Sequence, residues 1–539
     1  MNSRLRRLTD WLLLAGFCAF LFFYGLGSFG LIGADEPRYA QVAREMLERH
    51  DWVTPTLGGV AWLEKPALYY WQAMIAYRMF GVSDWAARAP SALDATLMVF
   101  AIYLFLQRFR PGSHLDGALI TASTAGMIGF ARAASMDMAL AAMFAIALLA
   151  WYAWYESQSR IFLAIFYVSL ALGTLAKGPV APFLAALILA LFSWAKGDFR
   201  LLRRTVWGLG ILLFLAIALP WYVAVQVRNP QFVRVFIFEH NLARFGSNLY
   251  HHKEPFWYYV PAALLGLAPW VILVIAAMSQ TVRAWWSEKR EMLSGENALD
   301  VFLAIWLFVP LAFFSVSQSK LPGYILPALP AGTLLLAEYV RRLAAEHGQP
   351  SPLWIVLHSI VAAGLLVPSL MIAYILRRHH LPWNKATQVC SVLAAIVAVG
   401  TVITLLRSGG MRWLRFVTLI PVILSIAALL RIGAPVLNES LSARSLWEDI
   451  AHLEDARALP PVAVFDVPRE TEYGLAFYHD QAIARYETGQ IPAGTHIVVA
   501  PQSARKAVGK VLANRRVSYL GTFWPQKMDY YWVAPAGSY

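Results

Sequence analysis

Apolar runs long enough to cross a bilayer constrain this chain more than any other feature. Thirteen of them lie near residues 11–29, 91–107, 115–131, 137–153, 161–176, 179–195, 205–226, 257–278, 300–316, 323–340, 353–376, 388–406 and 413–431. A helix of about 20 mostly apolar residues spans the hydrocarbon core. Backbone polar groups in lipid must be satisfied within the segment, so such runs become helices. The expected fold is therefore an α-helical polytopic membrane protein of about 13 transmembrane helices. A fourteenth run, 67–81, is weaker because Gln72 and Arg78 break it. Composition agrees: 59% of the 539 residues are hydrophobic and 14% charged, where a soluble domain carries about 25% charged residues. This excludes a disordered chain and an ordinary soluble enzyme. Cys18 and Cys390 both lie in apolar runs, which excludes a disulfide scaffold.

Charge orients the spans. Arg4, Arg6 and Arg7 precede the first run, and no small-residue cleavage site follows it, so it reads as a retained span. Basic flanks stay in the cytoplasm, which places the N-terminus there. Alternating from that start, Arg108, Arg110, Arg160, Lys196, Arg200, Arg203, Arg204, Arg283, Arg341 and Arg407 fall on the cytoplasmic side. The net charge of +13 then reads as cytoplasmic loops and anionic headgroups, with no nucleic-acid partner. An odd span count puts the C-terminus outside. Two outer segments are long, 30–90 and 227–256. In the first, Tyr39, Val42, Met46 and Leu47 share one helical face, the pattern of an interfacial helix lying on the membrane. Residues 1–435 read as the membrane domain and 436–539 as a small α/β domain outside it. Within the latter, 439–456 and 502–515 read as helices, and 461–466, 496–501, 517–523 and 530–535 as strands. No internal repeat of the transporter kind is visible.

The informative charges are those outside, where orientation does not call for them. They are Lys65, Arg88, Arg132, Lys177, Arg244, Lys253 and Lys320. Any one of them can neutralise a headgroup or pair with an acid. Gathered on one face beside two long loops, they point to a shared anionic site. The acids on that face are Asp35, Glu36, Glu64, Asp137, Glu239 and Glu254. Asp35 precedes Pro37, which suits a helix cap as well as it suits catalysis. Asp137 opens a span and admits the same two readings, and Glu64 beside Lys65 reads equally as an ion pair. His240, His251 and His252 share the face. A carboxylate with one or two histidines could hold a divalent metal, but no H-x-x-H spacing supports it. Pro322, Gly323, Pro327 and Pro330 in SKLPGYILPALP interrupt a helix where backbone can line a cavity. That places Tyr324 close to Lys320.

DEPRYA (35–40), LEKPALYYW (63–71), LAKGP (175–179), FEHNLARF (238–245), HKEPFWYY (252–259) and SKLPGYILPALP (319–330) stand in that order. Together they resemble the bacterial members of the protein O-mannosyltransferase-like superfamily, which are glycosyltransferases of the GT-C fold. Among these the chain is most similar to the aminoarabinose transferases that modify lipid A. The resemblance runs over most of the chain. It implies a multi-pass protein of the bacterial inner membrane with its active site and C-terminal domain in the periplasm. It implies a donor of undecaprenyl phosphate carrying 4-amino-4-deoxy-L-arabinose, a lipid A acceptor, a monomer in the bilayer, and resistance to polymyxin. The family's acidic position in the first outer loop falls on Asp35, with Glu36 beside it and Asp137 as a further acidic candidate. A lipid-phosphate pocket falls on Lys65, Arg244, Lys320 and Tyr324, with Arg38, Tyr39, Tyr69 and Lys177 as further substrate-binding candidates. Glu64 with His252 is the candidate pair for a divalent metal ion. Two rival readings stand beside it: another polyprenyl-phosphate-sugar transferase acting on protein or glycan, and a lipid transporter or flippase. A transporter should carry its ionisable groups at mid-bilayer, whereas here they gather at the outer edge.

Overall fold

The computed structural model of the chain describes residues 3–243, 254–287, 293, 295–346, 348–377, 383–407, 413–452, 460–489 and 491–535. Nine helices among them are long and apolar enough to cross a membrane. The number becomes ten if Phe256–Gly266 and Val271–Ser287, bent by 113° at their break, count as one span. The expected thirteen is not reached on these terms. The first run forms α1 (Ser3–Cys18), continued only by a π turn, Ala19–Phe23. The run at 115–131 breaks into His114–Ala122 and Ala125–Ala131. There Ser123 turns its hydroxyl back to Leu119 O at 2.7 Å, and Thr124 caps the next helix by accepting from Met127 N. Val180–Lys196 has 17 residues.

The first outer segment holds α2 (Asp35–Glu48), a two-residue hairpin of β1 (Thr56–Leu57) and β2 (Val60–Ala61), and α3 (Leu68–Phe80). With 13 residues, α3 is too short to span. It packs on α2 through Tyr39, Tyr69, Tyr70 and Tyr77, all buried. The apolar face of α2 is buried as its periodicity requires. Pro37, Ala40, Gln41 and Ala43 are buried as well, so α2 is covered on two sides rather than lying free on the membrane. Ala34, not Asp35, occupies its cap position, and no side chain caps it.

The helix α4 (Asp84–Phe109) follows, opened by Ser83, whose hydroxyl accepts from Ala86 N. The centre of the bundle is α5 (Met136–Ser157), in which Ala139, Ala141, Ala142, Ala145, Ala147, Ala150 and Ala153 are all buried. Small residues let neighbouring backbones approach closely in a membrane, where packing replaces the hydrophobic drive. Against α5 lies α6 (Arg160–Lys177). Trp151, Trp270 and Trp306 are fully buried. Each indole N–H finds an acceptor, on Thr205 Oγ1 at 2.9 Å, Ser123 Oγ at 2.8 Å and Pro327 O at 2.8 Å.

Arg88 and Arg132, counted above among the charges of an anionic site, do other work. The chain leaves α1 irregularly, and its free carbonyls need donors at membrane depth. Arg132 donates to Leu21 O, Tyr24 O and Gly25 O at 2.9–3.0 Å. Arg88 donates to Leu26 O, Phe29 O and Gly30 O at 2.8–2.9 Å. Between them the two guanidiniums satisfy the exit of the first helix.

The C-terminal part carries α7 (Ala443–His452), α8 (Arg469–His479) and a mixed sheet of β3 (Val462–Val464), β4 (Ala484–Arg485), β5 (His496–Pro501), β6 (Arg516–Phe523) and β7 (Met528–Ala534). The sheet order is β4-β3-β5-β7-β6. β3 is parallel to β4 and β5, and β7 is antiparallel to β5 and β6. The expected single helix at 439–456 is split at Ser442, which is extended and forms a bridge with Ile32. This sheet unit is tied to the first outer segment rather than hanging free. Tyr478 Oη accepts from Leu31 N at 2.7 Å and donates to Asp84 at 2.6 Å. Arg444 donates to Asp84 at 2.8 Å, and Arg44 reaches both Phe477 O and Asp480. α8 therefore lies directly on α2.

Candidate active site

Two helix ends and one interrupted helix build the site. Ser135 caps α5 by accepting from Asp137 N at 3.1 Å and donates its hydroxyl to Asp137 Oδ2 at 2.7 Å. The capping role thus belongs to Ser135, and the Asp137 carboxylate is left for a tertiary partner. That partner is Lys177, the last residue of α6, whose ammonium is bonded to Asp137 Oδ1. A cation at a helix C-terminus and an anion in a first turn both sit favourably in the helix dipole. Gly178 ends α6 at φ +86°, a conformation that other residues rarely adopt. The chain after Lys320 forms a 3₁₀ turn, Pro322–Ala328, before Leu329–Ala345 resumes as an α-helix. In that turn a Cβ on Gly323 would fall 2.7 Å from Asp137 Cγ, so only glycine lets the segment pass the carboxylate. Tyr324 then lies with its ring 4.7 Å from Lys177 Nζ. The interruption is where the prolines placed it, but Tyr324 meets Lys177 rather than Lys320.

These groups open on a cavity of about 380 Å³. Its polar lining is Lys65, Lys177, His240, Tyr324, Ser317 and Ser319. Its apolar lining includes Phe183, Phe236, Phe313, Phe314, Leu140 and Val180. Glu64 lies next to Lys65 in sequence and 3.6 Å from His240 Nε2. Such a shape accepts an amphiphile whose head is anionic and whose tail is apolar.

Asp35, the half-exposed first residue of α2, is paired with Arg38 one helical turn on, and Arg38 is within electrostatic reach of Glu64, the neighbour of Lys65. Arg38 is held among the rings of Tyr39, Trp62 and Tyr473, at 5.0, 5.1 and 5.8 Å from guanidinium to centroid. Burial, with the charge of Asp35 added to it, pushes the Tyr39 phenol well above its ordinary pKa, so it stays protonated. Its oxygen accepts from Arg38 at 3.3 Å.

The other candidates divide differently from expectation. The next residue round α2, Glu36, faces inward. Its carboxylate accepts from Arg88 at 2.7 and 3.0 Å, from Ile32 N at 2.7 Å and from Ala134 N at 2.7 Å. With four donors on two oxygens it has no acceptor capacity left for a substrate. Tyr69 is fully buried and donates to Ala87 O at 2.8 Å, which makes it a packing group. Lys320 is buried and donates to Ser317 O at 2.5 Å, so it ties the wall of the cavity rather than facing into it. Arg244, Lys253, His251 and His252 lie outside the described residues. His240 stands where His252 was expected, beside Glu64. Among the described residues no three His, Cys, Asp or Glu side chains gather as a metal site. Trp62, Tyr70 and Tyr473 are the neighbours of the site that sequence reasoning missed. LEKPALYYW carries Tyr70, and Trp62 stands just before it, both as apparently ordinary interface aromatics.

Known proteins resemble this chain throughout. Residues 10–236 match the family model of dolichyl-phosphate-mannose-protein mannosyltransferase. An undecaprenyl phosphate-alpha-4-amino-4-deoxy-L-arabinose arabinosyl transferase of Pseudomonas fluorescens strain Pf-5 is 29% identical over 510 residues, covering 88% of each chain. The corresponding protein of strain Pf0-1 is 33% identical over 398 residues, 71% of this chain and 67% of its own length. ArnT from Cupriavidus metallidurans, solved with bound undecaprenyl phosphate, superposes with a TM-score of 0.78 over 98% of this chain and 99% of that one at 22% identity. The two share the GT-C fold from end to end. Identity sustained over two thirds of a relative's length, on that fold, shows that the chain belongs to the family of undecaprenyl phosphate-aminoarabinose arabinosyl transferases.

Proposed function

We propose that the protein transfers 4-amino-4-deoxy-L-arabinose from undecaprenyl phosphate to phosphate groups of lipid A, at the periplasmic face of the inner membrane. The cavity carries this reading, because its two lysines and four phenylalanines suit a polyprenyl phosphate. In the reaction the bond from the sugar's anomeric carbon to the donor phosphate breaks. Its electron pair leaves with undecaprenyl phosphate, and a lipid A phosphate oxygen forms the new bond. Lys65, Lys177 and Tyr324 hold the donor phosphate and stabilise the charge that grows on it as it departs. Asp137 fixes the Lys177 ammonium at that spot. Asp35 meets the reacting groups from the outer side. An aminopentose on lipid A lowers its negative charge, which weakens cationic peptides such as polymyxin.

The orientation that goes with this reading has a cytoplasmic N-terminus and a periplasmic C-terminal domain. It divides the chain at 435/436 into a membrane transferase domain and an accessory α/β domain. As to metal, Glu64 and His240 stand together and no third His, Cys, Asp or Glu gathers with them among the described residues, one ligand short of a zinc site, which takes at least three from the protein. These residues alone do not fit one, and no step is routed through a metal.

Transfer is read from lipid A mass. Cells given the gene should show lipid A heavier by one aminopentose residue, and cells without it should not. Unmodified lipid A, with another sugar moved to protein or glycan, would overturn the assignment. The phosphate site is read from binding. Lys65→Met and Lys177→Met should each weaken undecaprenyl phosphate roughly 10- to 100-fold in calorimetry, the worth of one charge-assisted hydrogen bond. Unchanged affinity in both would remove the lysines from the site.

A further inference from the structure

Asp35 and Arg38 hold one another, but they differ in what else holds them. The Asp35 side chain is 54% exposed, and among the described residues its carboxylate is bonded to Arg38 alone. The Arg38 side chain is only 12% exposed. Among the described residues its guanidinium donates to Asp35 and Tyr39, both on α2, and its Nε–H finds no acceptor. Arginine gives up more rotamer freedom than most side chains when it is fixed, so bonds to its own helix do not settle its place. The ring faces do: Tyr39 and Trp62 from the first outer segment, and Tyr473 from α8.

Through Tyr473 the C-terminal part reaches this pair. Phe477, four residues on, shares its face of α8. It is 3% exposed and packs in one cluster with Tyr39 and Tyr70. Arg44 of α2 donates to the Phe477 carbonyl at 3.1 Å. That anchor fixes α8 against α2, and with it the Tyr473 ring, whose centroid is 5.8 Å from the Arg38 guanidinium. At that distance a ring face attracts a cation. The Tyr473 hydroxyl makes no hydrogen bond among the described residues, so the ring is what it contributes. We propose that Tyr473 is a positioning residue for sugar transfer: through it the C-terminal α/β part holds Arg38, and Arg38 holds the Asp35 carboxylate in its working direction. The proposal rests on the functional reading above and goes beyond it, because it gives the accessory part a share in turnover.

The test is made on the full chain, with kcat counted per protein that binds undecaprenyl phosphate, so that unfolded material drops out. Tyr473→Leu should lower kcat roughly 3- to 30-fold, the worth of one cation–π contact, and leave the affinity for undecaprenyl phosphate within about twofold. Tyr473→Phe keeps the ring and should turn over within about twofold of the unaltered protein. The decisive measurement adds Tyr473→Leu to Asp35→Asn. With the carboxylate gone the ring has nothing left to direct, so the double variant should be no slower than Asp35→Asn alone. A loss that persists undiminished in the double variant would make Tyr473 a merely structural residue and overturn the proposal. Native kcat in Tyr473→Leu, or a Phe variant as slow as the Leu one, would overturn it as well. Failure of the functional reading looks different: the unaltered protein would then transfer no aminoarabinose at all.

Discussion

Asp35→Asn is expected to lower sugar transfer by about 100-fold or more while the protein stays folded and still binds undecaprenyl phosphate. Three observations set this size. Of the three candidate acids Asp35 is the half-exposed one, whereas Glu36 is locked inward and Asp137 is committed to Lys177. It is the first residue of α2, where the helix dipole favours its charge. Its pairing with Arg38 fixes its direction. A phosphate monoester on lipid A titrates near pH 6, so the attacking oxygen is already anionic in neutral solution. Such a nucleophile needs positioning more than it needs a base, and misplacement by about 1 Å costs about 100-fold. The defect should therefore appear in kcat and be flat between about pH 7 and 9, above the phosphate's own titration. A defect repaired as pH rises would show Asp35 acting as a proton acceptor. Full transfer by the Asn variant would remove it from the site.

The contrast between Asp35 and Glu36 shows where sequence stops informing. Adjacent residues on a helix point about 100° apart. That angle separates an outward carboxylate from one sunk against Arg88, and nothing in DEPRYA says which is which. The same limit explains Lys177 and Asp137. Each is visible at the end of its own apolar run, but the bond between them joins residues 40 positions apart. Arg88 and Arg132 were read as site charges because a sequence displays charges, not the backbone carbonyls at 21–30 that they satisfy.

The fold was more legible, because a bilayer forces apolar runs into helices and leaves few alternatives. What blurred it was length. α1 and Val180–Lys196 fall short of a full span, and run 257–278 bends at Leu267–Trp270. In the C-terminal part the long strands stood out as short runs rich in β-branched and aromatic residues. β4, of two residues, and α8, with its polar start RETEY, carry too little pattern. Tyr473 was missed with α8, and with it the link between that part and Arg38.

Arg88→Met should cost about 3–5 kcal/mol of stability, seen as a lower thermal midpoint and loss of monodisperse protein in detergent. Arg88 is 0% exposed and uses all five N–H donors, two on Glu36 and three on carbonyls of residues 26–30. Methionine fills the volume and leaves the Glu36 carboxylate buried without its counter-ion, together with three carbonyls lacking donors. Arg88→Lys should recover little, since an ammonium has three donors and cannot form the fork that grips both carboxylate oxygens. Joining Glu36→Met to Arg88→Met removes the stranded charge, so the double variant should be more stable than Arg88→Met alone. In this series activity should fall only as far as folded protein falls. Asp35→Asn should do the opposite, losing turnover with the thermal midpoint unmoved. A Glu36→Gln protein of native stability with no transfer would reverse that division and return Glu36 to the reacting groups.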